Sequence, residues 1–140
     1  MTWVTWSLLS ALFAAATALL AKMGVSRVEP NLATAIRTTV VLVLAWSIAL
    51  TFGSHRQLAM LDRSSVGFLV ASGVATGLSW LCYFRALAAG PASKVAPIDK
   101  LSAVFVILLA WPLLGETLTK GKLLGGGLIV IGAVVLAVTH

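Results

Sequence analysis

A chain of 140 residues that is 60% hydrophobic, 10% charged and of mean hydropathy +1.06 has too few polar side chains to cover a water-facing globule. Ten lysines and arginines against four acids leave it at +6, but the cations are scattered between apolar runs. That scatter suits anchoring at lipid headgroups and argues against a nucleic-acid face.

Five apolar segments, at about 3–21, 32–52, 66–89, 92–114 and 122–138, each hold about the 20 residues that cross a bilayer as helix. They predict an all-α membrane protein in which residues 1–140 form one transmembrane domain. Barrel strands would alternate polar and apolar residues, and these runs do not. Gly24–Pro30, Gly53–Ser65, Gly90-Pro91 and Gly115–Gly121 carry the turn chemistry between spans. The opening MTWVTW has no basic residue before the apolar run, so it reads as a first span and not as a leader.

The first span starts on Trp3 and Trp6, an interfacial aromatic anchor, and continues with the small stripe Ser10, Ala14, Ala18. It contains no acid. The second opens NLATAIRTT, which sets Arg37 about 9 Å along the helix from Asn31. Two readings stand for Arg37: a side chain snorkelling to the headgroups, or a cation facing a polar cavity with Thr34 and Thr38. In the third span Gly73 and Gly77 make a packing seam, and Trp80, Tyr83, Phe84 and Arg85 follow it. Trp80 and Phe84, four apart, share a face and can line an aromatic wall.

The fourth span carries Pro97, which deletes a backbone hydrogen bond, and then Asp99-Lys100. Adjacent helical residues point about 100° apart, so Asp99 and Lys100 are expected to seek different partners. The fifth span, LLGGGLIVIGAVVLAV, offers Gly125, Leu128, Ile129 and Gly132 as a helix–helix face, expected between two copies.

Alternating loops put Arg56, Arg63, Lys120 and Lys122 on one side and Lys22, Arg27 and Lys94 on the other. Four against three sets no orientation, which is the balance a chain inserted both ways would show. Arg37, Arg85, Lys94, Asp99 and Lys100 all fall within about two turns of the second side. Lining one vestibule, they would favour an anionic or zwitterionic ligand. The competing reading is an Arg37–Asp99 or Arg85–Asp99 pair that neutralises a buried carboxylate. Phosphate-loop, zinc and Ser–His–Asp patterns are missing, so no catalytic residue, metal or cofactor is expected. A lone Cys82 excludes an intrachain disulfide.

The run ALAAGPAS at 86–93, VAPI at 95–98 and Leu114-Gly115-Glu116, followed by a glycine-rich last helix, resembles the EamA-like branch of the drug/metabolite transporter superfamily. Most such transporters are similar to two five-helix units fused as an inverted repeat, whereas this chain resembles a single-repeat member. The resemblance implies transport of small metabolites by alternating access in the inner membrane, as a homodimer whose antiparallel pairing would reproduce the inverted repeat, with the site near the midplane. Asp99 is then expected in ligand or proton coupling, Arg37 and Lys100 in anion attraction, Trp80 and Tyr83 in the pocket wall, and Pro97 as the hinge of the fourth helix. The last helix also resembles the dimerisation helix of small multidrug resistance proteins. Those carry an acid in helix 1 that this chain lacks, which argues against their proton-coupled export of cationic drugs. Two alternatives are a non-transporting subunit of a larger membrane complex and a flippase of a lipid-linked sugar.

Overall fold

The computed structural model describes residues 2–139. Its elements are α1 (Trp3–Val25), α2 (Pro30–Thr51), a 3-10 helix (Ser54–Met60), α3 (Arg63–Ala89), α4 (Ala92–Asp99), α5 (Ser102–Leu114) and α6 (Lys120–Val138). No strand occurs among the described residues. Five segments are long and apolar enough to cross a membrane, with α4 and α5 together making the fourth.

The helices begin where side chains replace missing backbone acceptors. Glu29 accepts from the Leu32 N–H at 2.9 Å and Pro30 follows at the first helical position, so α2 starts there. Asp62 accepts from the Ser65 N–H at 3.0 Å ahead of α3. The Ser65 hydroxyl and backbone N–H hold the Asp62 carboxyl below its usual value. Thr119 caps α6 through the Lys122 N–H at 3.2 Å. These caps explain why α3 begins at Arg63, ahead of the apolar run itself. At the far end of α5, Gly115 takes φ +68°, which lets the Glu116 N–H return to the Ala110 carbonyl at 3.2 Å. A β-carbon there would be strained.

Leu42, Val43 and Leu44 are 55%, 60% and 60% exposed. Successive helical residues point in different directions, so no single packed face accounts for them. Lipid is the solvent that suits such a surface.

The chain divides into two compact units, Ala21–Ala88 and the remainder (up to Leu20, then from Ala89 onward). In the first, Lys22 Nζ donates to the Leu87 carbonyl at 2.6 Å, a cation on the last turn of α3. Arg85 Nη2 donates to Asn31 Oδ1 at 3.3 Å. The end of α1, the start of α2 and the end of α3 are thereby tied together. Val25, Thr34, Phe84 and Leu87 are buried there, and the 3-10 helix packs back on α2. That 3-10 helix lies in a stretch expected only as a connection.

In the second unit α6 packs against both α4 and α5. A β-carbon on Gly126 would stand 3.8 Å from both Ile107 Cδ1 and Val104 Cγ1. Gly126 and Ala133, seven residues apart, are the buried face of α6. Lys94 Nζ donates to the Ala137 carbonyl at 3.1 Å, again a cation on a helix end. Lys94, expected among vestibule cations, is therefore engaged as a helix cap.

The interruption between α4 and α5 falls at Lys100–Leu101, three residues past Pro97. Leu101, Ala103 and Val104 bond three residues back, to Ile98, Lys100 and Leu101. The ladder tightens to 3-10 spacing after the proline and resumes from Ser102.

Candidate functional site

The site lies in the unit Ala21–Ala88, where α2 brings a cation against the aromatic stripe of α3. Arg37 is seven residues into α2, about 10 Å along its axis. Its guanidinium carbon stands 4.2 Å from the centroid of the Trp80 ring and 5.6 Å from that of Phe84. The four-residue spacing of Trp80 and Phe84 puts both rings under one cation. Phe84 is 3% exposed, so the second ring is fixed by packing. Tyr83 is half-buried beside them and interacts electrostatically with Arg37.

A stacked guanidinium keeps its edge donors free. Among the described residues of this unit, none accepts a hydrogen bond from Arg37. The two carboxylates of the unit, Glu29 and Asp62, both sit at helix starts. Thr34 and Thr38 turn their hydroxyls to the Pro30 and Thr34 carbonyls of their own helix, at 2.8 and 2.7 Å. Both threonines thus spend their hydroxyl protons on the preceding turn, as threonines in a helix do.

Arg37 also lines a groove of about 320 Å³, together with Gly24 and Val25 of α1, Ala33 and Ile36 of α2, and Phe84 of α3. The groove's surface is almost wholly apolar, with Arg37 its one charged lining residue. Cation–π contact with two rings is worth about 1–2 kcal/mol. Placing an arginine at the centre of a span costs about 2.5–3.5 kcal/mol, and less two turns in from its end. The rings offset part of that cost and leave the donor edge able to take an anion.

Asp99, Lys100 and Pro97 belong to the other unit. Lys100 Nζ pairs with Asp99 Oδ2 at 3.3 Å, which corrects the expectation that they seek separate partners. The reason is reach: Lys100 keeps right-handed helical angles (φ −70°, ψ −7°), but its long stem swings the ammonium back to the neighbouring carboxylate. With side chains 62% and 36% exposed, the pair is a weak one. Arg85 is held at the end of α3 by Asn31. Gly125, Leu128, Ile129 and Gly132 lie on an exposed face of α6, and a β-carbon on either glycine meets nothing within 4 Å.

Two features were not visible in the residue pattern. One is the α1 wall of the groove, since Gly24 and Val25 are distant in sequence from Arg37. The other is a second cavity of about 260 Å³ near the far end of α2, lined by Leu42, Trp46, Ala49 and His55. His55 Nδ1 is buried there without a hydrogen-bond partner. An isolated loop histidine gives no motif to find.

Comparison with known proteins agrees with this architecture. The EamA-like transporter family matches residues 1–138. An "uncharacterized transporter in cobO 3' region" of Sinorhizobium is 46% identical over 136 residues, which covers 97% of this chain and 96% of that protein. An uncharacterized protein of Methanocaldococcus jannaschii is 27% identical over 86 residues, 61% of this chain and 63% of its own. No solved structure matches. Five membrane-length helices, the match along nearly the whole chain and the transporter relative agree: this chain belongs to the EamA-like transporter family.

Proposed function

We propose that the protein carries small anionic or zwitterionic metabolites across the inner membrane by alternating access, as a homodimer of five-helix units and without catalysing a reaction. The observation that carries this reading is Arg37, a cation inside a span, stacked on Trp80, lining an apolar groove and donating to no described residue. Intramembrane ionisable residues mark ligand pathways unless they are neutralised by a partner.

Trp80 and Tyr83 hold the cation at the ligand site, and Arg85 raises the local anion concentration. Asp99 serves as the coupling carboxylate, its pairing with Lys100 weak enough to exchange. The tightened backbone between Pro97 and Ser102 is the hinge of the fourth span. Two copies meet through the glycine face of α6, and an antiparallel pair reproduces an inverted repeat. Exposure of Gly125 and Gly132 supports that interface, since close backbone approach needs small residues.

The test is reconstitution in proteoliposomes with a panel of radiolabelled anions and amino acids. Saturable uptake that Arg37→Ala abolishes supports the reading. Absence of flux from correctly folded protein, with a stoichiometric partner recovered by pull-down, favours a non-transporting subunit instead.

A further inference from the structure

We propose that the groove selects amphiphilic monoanions: molecules with one carboxylate-like head and a compact apolar body. This rests on reading the Arg37 groove as the substrate site, and it specifies the class of substrate.

The first argument is charge count. Arg37 is the one ionised group lining the groove, and it is paired with rings and not with a carboxylate. A single guanidinium presents a planar fork that matches one carboxylate in bidentate fashion. A polyanion would bring further charges against Val25, Ile36 and Phe84, where nothing compensates their desolvation. A cation would meet the guanidinium as a like charge.

The second argument is the wall. Val25, Ala33, Ile36 and Phe84 offer no hydrogen-bonding side chain, so the body of the ligand must be apolar. A sugar or polyol would lose its water contacts and regain none. The third is size. A groove of about 320 Å³ has the liquid volume of roughly ten water molecules, so the ligand has on the order of ten non-hydrogen atoms. Benzoate and hexanoate fit this description. Both are fully ionised at neutral pH.

Calorimetric titration of the purified protein at pH 7 tests the assignment. Benzoate and hexanoate should bind with one site per chain. Affinity should rise by up to about 4-fold per methylene from acetate to hexanoate. Hexanol, hexylammonium and citrate should each bind at least about 10-fold more weakly than hexanoate, because each lacks one required element. Arg37→Ala should weaken benzoate by roughly 10- to 100-fold, with Arg37→Lys in between. Gly24→Leu supplies a control that leaves the cation alone. Open space surrounds a β-carbon at Gly24, so the leucine fills the groove without a clash. It should abolish hexanoate binding while the chain unfolds at an unchanged temperature.

Equal benzoate binding by Arg37→Ala would mean partition into detergent only and would overturn the assignment. So would citrate binding as tightly as benzoate. If binding follows the prediction but proteoliposomes show no flux, the transporter reading fails while the ligand class stands. Arg37-dependent flux of citrate would do the reverse.

Discussion

The guanidinium of Arg37 on α2 sits over the indole of Trp80 on α3 at 4.2 Å, joining two long helices within the unit Ala21–Ala88. That contact both holds α2 to α3 and aims the charge. Trp80→Ala should therefore weaken anion binding by about 5- to 30-fold, as expected for a desolvated cation–π contact worth about 1–2 kcal/mol. Trp80→Phe should retain most of it. Benzoate titration of both variants checks the ordering, and a Trp80→Ala protein that binds like the wild type would show that the ring has no part in positioning Arg37.

The two faces of α6 should respond oppositely to the same substitution. Gly126 already meets Val104 and Ile107 at ordinary contact distance, so Gly126→Leu should destabilise the chain by about 1–3 kcal/mol through overpacking. Gly125→Leu meets nothing within the chain. It should leave thermal unfolding of a detergent-isolated monomer unchanged and weaken self-association. Leu128 lies near the midpoint of α6, so Leu128→Cys in a Cys82→Ser background should crosslink whether the copies are parallel or antiparallel. Crosslinking that survives Gly125→Leu would place the dimer contact elsewhere.

Lys94→Met removes the cation from the Ala137 carbonyl at the end of α6 and keeps the apolar stem. The expected loss is about 0.3–1 kcal/mol, measured by thermal unfolding, with anion affinity unchanged. A large fall in affinity would return Lys94 to the ligand site.

Asp62 sets a pH dependence at the start of α3. Its carboxyl titrates below the usual value because the Ser65 hydroxyl and the Ser65 N–H bond to the ionised form. The folded value is thus lower than the unfolded one, near 3.9. The capping contribution is complete above about pH 4 and is lost as pH falls through the lowered folded value. Hydrogen exchange at the Ser65 amide should speed up relative to its intrinsic rate over that acidic range. Asp62→Asn should keep the cap and lose the pH dependence.

The helices and their approximate limits were legible because apolar run length and turn residues decide them locally. Trp80 and Phe84 sharing a face was legible for the same reason, since it follows from helical spacing within one element. What faces that stripe was not. Arg37 comes from another helix, and spacing within α2 does not say which rings of α3 it meets. Asp99 and Lys100 misled because the 100° rule fixes where the β-carbons point and not where the end of a long lysine stem comes to rest. Nor does a pattern of residue types reveal that the Thr34 and Thr38 hydroxyls bond to carbonyls one turn back.

The most direct measurement is uptake of radiolabelled benzenesulfonate, a permanently charged amphiphilic monoanion, into proteoliposomes holding the wild-type protein or Arg37→Ala. The wild type should show saturable uptake, inhibited by benzoate and not by hexylammonium, and Arg37→Ala only the protein-free rate. Uptake by Arg37→Ala equal to the wild type, or a wild-type rate no higher than that of protein-free liposomes, would contradict Arg37-dependent transport.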